Sequence, residues 1–365
     1  MDPRIREHAE VLVDWGARVG SGDHVVMRVS EGAHDLAVAV AAALGERDAT
    51  VATTYASDEV RRAHLLAAGE DVEASAPALG LYEVADVTLA LGGGRNTAAL
   101  ADLPAGTRRA YATASKELRE RRLATDWMAT VHPTRSLAQQ AGMSLAAYRD
   151  FVYGAVLRDW AALADEMDRL KDRLDAGEVV HLDAPGTDLT MRIDDRIAVN
   201  SAASVAFDSH NLPSGEVFTA PYEAEGEVTF DVPMTVRGQE VRDVHLRFED
   251  GSVVEHDALA GADVIAEVLE TDDGARRLGE LGVGMNRGID RPTDNVMFDE
   301  KMAGTVHLAL GRAYDACLPE GVPGNDSAVH VDLIADLRSG GSLSIDGEVV
   351  LRDGRFAWED GFDPD

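Results

Sequence analysis

Cysteine is nearly absent. Cys317 is the only one in 365 residues, so an intrachain disulfide and a thiolate-held metal cluster are both excluded, and the expected setting is a reducing compartment. Long apolar runs are missing too. None approaches the ~20 residues that span a bilayer, and the N-terminal stretch MDPRIREHAEVLVDWGARV is charged and amphipathic where a signal peptide would be apolar. A soluble, cytoplasmic protein is expected. Positive charge is scarce: 34 Lys+Arg stand against 66 Asp+Glu, a formal net charge of −32. A nucleic-acid partner needs a surplus of Lys and Arg to displace counterions from phosphates, so this balance argues against one, and against an anionic membrane surface. Scarcest among the cations is lysine, with only Lys116, Lys171 and Lys301. Dense carboxylates with few lysines suit a halophile's cytoplasm, where self-repulsion is screened to within about 3 Å at 1 M salt.

The hydrophobic fraction of 45% is that of a folding chain, and the length calls for two cores of roughly 150 residues each. Over the first hundred residues short apolar runs alternate with helical segments. Strands are expected at 24–29, 50–55, 87–91 and around 109–113, with helices at 33–44 and 58–68 and a glycine turn at Gly92-Gly93-Gly94. This is a Rossmann-like α/β pattern. Residues 131–176 read as helix-rich, ending at Gly177, and bridge to a second domain. From Val179 onward, alternating segments such as DLTMRI, EVTFDV and VRDVHLRFED predict a β-rich α+β domain, closed by a hairpin that turns at Asp346-Gly347. The expected domains are 1–178 and 179–365. In the last third one helix is expected over 305–317, then a strand over 328–333.

Several residues invite chemistry. The triple glycine lies where α/β sheets bind nucleotides, but Thr97 occupies the third glycine position of the dinucleotide fingerprint, and a tight turn accounts for it. On the expected helix His307, Gly311 and Tyr314 share a face, leaving room for an ion or substrate, or else packing into the core. His330 and Asp332, two apart in a strand, point to the same side and suit a divalent metal, or else face solvent. Glu216 and Glu280 each sit beside glycine in weakly charged surroundings. Lys301, in the triplet DEK, either stabilises an oxyanion or pairs with Asp299 or Glu300.

Taken in order, GEVFTAP, GELGVGMN, DEKMAGTVHLALGRAY and NDSAVHVDL resemble the aminopeptidase T/aminopeptidase S family of dinuclear metallopeptidases, also called thermophilic metalloproteases. By that resemblance Glu216 and Glu280 are metal-binding glutamates, His307 and Tyr314 the pair of the GTxHxAxGxxY motif, and His330 and Asp332 the ligands of the HxD motif; all six are candidate metal ligands, with Tyr314 either ligating or hydrogen-bonding the tetrahedral intermediate. The resemblance implies a homodimer, peptide substrates, and two divalent ions per chain that are cobalt, zinc or manganese. Charge is compatible: two divalent ions bring +4, three carboxylates −3, and one hydroxide balances the rest. The implied activity is removal of N-terminal residues from peptides, with Tyr314 and Lys301 as catalytic candidates. The rival readings are another dinuclear hydrolase, an amidase or phosphoesterase, and a non-catalytic nucleotide- or metal-binding module.

Overall fold

A computed structural model of the protein describes residues 2–364, which fall into two compact units: 2–158 with Ala203–Pro213, and Asp159–Ala202 with 214–364.

The first unit is built on a parallel sheet. Strands β1 (His24–Ser30), β2 (Thr50–Ala56), β3 (Val87–Gly92) and β4 (Asp126–Val131) are ordered β2-β1-β3-β4, and the two-residue β8 (Asn211–Leu212) adds beside β4. Helices α1 (Pro3–Glu10), α2 (His34–Gly45), α3 (Asp58–Ala68), α4 (Ala76–Tyr82), α5 (Ala105–Ala114), α6 (Lys116–Leu123), α7 (Arg135–Gln140) and α8 (Leu145–Val156) complete it. Their starts follow local chemistry. Asp2 accepts from the Arg4 amide at 3.1 Å with Pro3 at the first helical position of α1, and Ser57 caps α3 through the Val60 amide. The strand expected around 109–113 is instead the helix α5, opened by Pro104, and the fourth strand is β4. Tyr and Thr in RRAYATA favour a strand, but tertiary context and the proline start signal override that preference.

The triple glycine packs against its own chain. The Gly32 amide donates to the Gly93 carbonyl at 2.8 Å, a Cβ on Gly32 would lie 2.4 Å from that oxygen, and Ser136 Oγ donates to the Gly94 carbonyl. Close approach of backbones is what these glycines permit.

The second unit opens with α9 (Trp160–Ala176). Strands β5 (Val179–Ala184), β6 (Thr187–Arg192), β7 (Val199–Ser201), β9 (Glu216–Thr219), β10 (Tyr222–Phe230), β11 (Met234–Val236), β12 (Gln239–Glu249) and β13 (Ser252–Ala260) follow. Then come α10 (Ala262–Leu269), β14 (Leu278–Gly284), α11 (Val296–Asp299), β15 (Thr305–Gly311), β16 (His330–Asp336), β17 (Ser342–Ile345), β18 (Glu348–Arg352) and β19 (Arg355–Phe356). A nine-stranded antiparallel sheet runs β11-β12-β10-β6-β5-β17-β18-β19 with β13 on β12, and a five-stranded antiparallel sheet runs β16-β15-β14-β9-β7. The β17–β18 hairpin turns at Asp346 and Gly347, both at positive φ. Although the sequence places α9 before the boundary at 178, it packs on β7: Asn200 Nδ2 donates to the Ala164 carbonyl at 3.0 Å and to Asp168 Oδ1 at 2.7 Å.

The helix expected over 305–317 does not form. Residues 305–311 are the strand β15, and a short 3₁₀ turn covers Asp315–Cys317. All seven residues of β15 are buried, so TVHLALG lacks the polar alternation that marks a half-buried strand.

Candidate metal centre

The five-stranded sheet gathers five donor side chains on one face. Glu216 opens β9, Glu280 lies on β14, His307 on β15, and His330 and Asp332 on β16. Period-2 alternation puts residues of like parity on one side of each strand. The register then sets every donor opposite a small residue: Glu216 faces Gly284, His307 faces Gly282, Glu280 and Asp332 flank Ala309, and His330 faces Gly311. Those small partners make the space in which the polar groups converge. A Cβ on Gly282 would lie 2.0 Å from His307 Cε1 and Nε2, and one on Gly284 would lie 2.1 Å from the Met302 carbonyl, so Gly284 admits the 300–302 segment.

The donors form a chain of short contacts. His307 Nε2 is 3.6 Å from Glu216 Oε2 and 3.2 Å from Glu280 Oε1, while His330 Nε2 is 3.2 Å from Glu280 Oε2 and 3.4 Å from Asp332 Oδ1. Donor atoms of Glu280, His307 and Asp332 all lie within 4.8 Å of one another. His330 Nδ1 donates to the Arg312 carbonyl at 2.8 Å, which aims Nε2 at the carboxylates.

Protonation follows from the surroundings. Burial would lower the imidazole pKa values, but Glu280 and the other carboxylates reverse the sign, raising His307 to about 9 and His330 to about 11. For Glu280 and Asp332 burial favours the neutral acid and loses to the imidazoles, so both sit below the usual carboxylate range. Glu216 goes the other way, raised by burial more than Lys301 and His307 lower it.

Do these residues suit a metal? Glu216 Oε2 and His307 Nδ1 are buried with no hydrogen-bond partner among the described residues. A buried, unpartnered carboxylate oxygen is unfavourable by several kcal/mol unless a cation faces it. Three carboxylates and two imidazoles without sulfur match zinc, cobalt or manganese. The donor set fits divalent ions.

Lys301 and Tyr314 take different places. Lys301 is fully buried, with Nζ 3.3 Å from Glu216 Oε1 and bonded to Glu300 Oε1; these carboxylates outweigh the burial that would lower its pKa. Asp299 is not its partner, since that carboxylate accepts from Thr293 and Asn295. Tyr314 does not share a helix face with His307. It follows β15, is 47% exposed, and stands at the rim with its ring 4.7 Å from that of His330 and edge-on to Phe218. Partial burial and the nearby carboxylates push its phenol up, so it is neutral and able to donate. Glu300 is the member the sequence reading passed over as a mere salt-bridge partner. Its carboxyl is raised by burial to about 8 and feels Lys301, Glu216, Asp332 and His307. Its one sequence signal is its place beside the lone lysine of the region.

The sequence matches the thermophilic metalloprotease (M29) family over residues 1–356. It is 36% identical to aminopeptidase T of Thermus aquaticus over 201 residues, covering 48% of this chain and 46% of that protein. It is 33% identical to aminopeptidase 2 of Geobacillus stearothermophilus over 228 residues, 55% and 54% respectively. The chain thus spans about half the length of the curated relatives it matches. A solved structure, wild-type AmpT from Thermus thermophilus, is similar over 97% of this chain and 99% of that one, with TM-score 0.86 and 26% identity.

Proposed function

Because the chain belongs to the thermophilic metalloprotease (M29) family, we propose that it is a metal-dependent aminopeptidase that removes N-terminal residues from peptides. In this reading Glu216, Glu280, His307, His330 and Asp332 hold two divalent ions, cobalt, zinc or manganese. The observation that carries it is the run of five oxygen and nitrogen donors, of which Glu216, Glu280 and His307 are buried, with Glu216 Oε2 left without a hydrogen bond among them. Divalent ions held there would polarise a scissile carbonyl and lower the pKa of water toward neutrality. Lys301 acts by position: by holding Glu216 Oε1 it turns Oε2 toward His307, and its full burial keeps it away from substrate. Glu300 accepts a hydrogen bond from that ammonium on its other side. Tyr314, neutral and at the rim, is the O–H donor positioned to steady charge developing on the substrate carbonyl oxygen. A cytoplasmic homodimer that keeps its fold in concentrated salt completes the reading.

The test is hydrolysis of Leu-p-nitroanilide and of a short peptide, with and without chelator. Turnover that EDTA abolishes and cobalt, zinc or manganese restores supports the reading. Turnover of amide or phosphoester substrates with peptides left intact would point to another dinuclear hydrolase. The salt requirement is tested by circular-dichroism melts at about 0.1 and 1 M KCl, where the Debye length falls from about 10 to about 3 Å; an equal or higher midpoint at the lower salt refutes it.

A further inference from the structure

Most arginines in the second unit stand beside a carboxylate, as a chain with 66 acidic residues would lead one to expect. Arg196 and Arg277 are among those that do not. Among the described residues neither has a carboxylate oxygen within 4.0 Å, and both line one pocket of about 290 Å³. Arg196 is held rigidly: Nε donates to the Ala220 carbonyl at 3.0 Å, Nη1 to the Asp195 carbonyl at 3.0 Å, and the guanidinium lies 4.5 Å over the Tyr222 ring. Backbone carbonyls accept these hydrogen bonds without cancelling the charge. The acid in the wall, Glu223, lies 4.0 Å from Arg192 instead. The remaining wall is largely apolar, including Leu278 and Ala313.

We propose that this pocket binds the carboxylate of a small organic acid, such as an amino acid or the C-terminus of a peptide. Two arginines line the pocket, a guanidinium's planar donors match a carboxylate, and the apolar part of the wall suits the hydrocarbon body attached to it. In a molecule of net charge −32, a site that concentrates uncompensated positive charge is also where an organic anion is least repelled. The pocket borders the segment between β15 and β16. Asn325 lines it, donating from Nδ2 to the Gly311 carbonyl at 2.6 Å and accepting from the Ala313 amide at 2.9 Å, and Tyr314 is next along the chain. Occupancy would therefore bear on the segment that carries Tyr314 and leads into His330.

The experiment is calorimetric titration of the full chain with isovalerate, with isovaleramide and inorganic phosphate as controls. Because the readout is binding, it stands or falls apart from the peptidase reading. Saturable 1:1 binding of isovalerate is expected, weakened about tenfold or more by Arg277→Gln, which removes both charge and fork, and by a smaller factor by Arg277→Lys, which keeps the charge but loses the planar fork. Leucine and Leu-Gly-Gly as further titrants tell a free amino acid from a peptide terminus as the source. Equal affinity for isovalerate and isovaleramide, binding of phosphate alone, or an Arg277→Gln affinity equal to wild type would each overturn the proposal.

Discussion

Each unit buries a histidine almost completely, His8 at 0% and His307 at 1% exposure, and the two titrate in opposite directions. His8 lies in the first unit with Nε2 2.7 Å from Thr130 Oγ1; that hydroxyl donates to the Leu212 carbonyl, so His8 Nε2 must carry the proton. With no carboxylate paired to it among the described residues, desolvation, helped by His132, lowers its pKa to about 3. His307 meets the same desolvation but has Glu280 and Glu216 at contact distance, and its pKa rises to about 9. Burial alone makes a histidine a neutral core residue. Burial among carboxylates makes it hold a proton, in surroundings that favour any cation, a divalent ion included.

The comparison is broken most severely by removing a donor from the second unit. Glu280→Gln or His307→Ala should lower kcat/KM by about a hundredfold or more, because polarisation of the carbonyl and activation of water are lost together. Steady-state assays check this, and a variant keeping more than about a tenth of wild-type activity is not a ligand.

A smaller effect sharpens the contrast through the glycines. Gly282→Ala places a Cβ 2.0 Å from the His307 ring and should lower activity about tenfold or more, beyond the fall in melting temperature that such overpacking brings. Gly32→Ala places one 2.4 Å from the Gly93 carbonyl and should lower the melting temperature alone, since it touches no donor. Assay and thermal melt together separate the two outcomes.

The mildest test is acid stability. Because the folded pKa of His8 lies below its ordinary 6.5, the unfolded chain binds the extra proton, and stability falls as pH drops below about 6.5. The loss attributable to His8 approaches about 1.4 kcal/mol per pH unit down to about pH 3. His8→Gln should flatten that slope in urea melts between pH 6.5 and 4; an unchanged slope would show that His8 is not desolvated.

What was legible in the sequence was chemistry more than geometry. The parallel strands at 24–30, 50–56 and 87–92 were readable because their apolar runs are bounded by helix starts and glycines, and the helix Asp58–Ala68 was readable between two of them. The site residues were readable as motifs, and the sheet brings Glu216, Glu280, His307, His330 and Asp332 together. The element carrying His307 was not. A strand buried on both faces looks like a helix segment by periodicity, and only its seven-residue length between Gly304 and the end at Gly311 argues otherwise. Glu300 was hidden for a different reason: in a chain with 66 acids, its place beside Lys301 is the one local mark of a carboxyl that tertiary packing will bury. The small residues opposite each donor were equally silent, since cross-strand register is set by pairing over long sequence separations.

The central claim is that the five donors of the antiparallel sheet hold catalytic metal. It is tested most directly by measuring metal content in the purified chain after exhaustive dialysis, alongside His307→Ala and Asp332→Asn. The account predicts close to two divalent ions per wild-type chain, fewer in each variant, and peptidase activity that tracks occupancy. Wild-type protein stripped of metal yet fully active, or variants that retain the wild-type metal content, would contradict it.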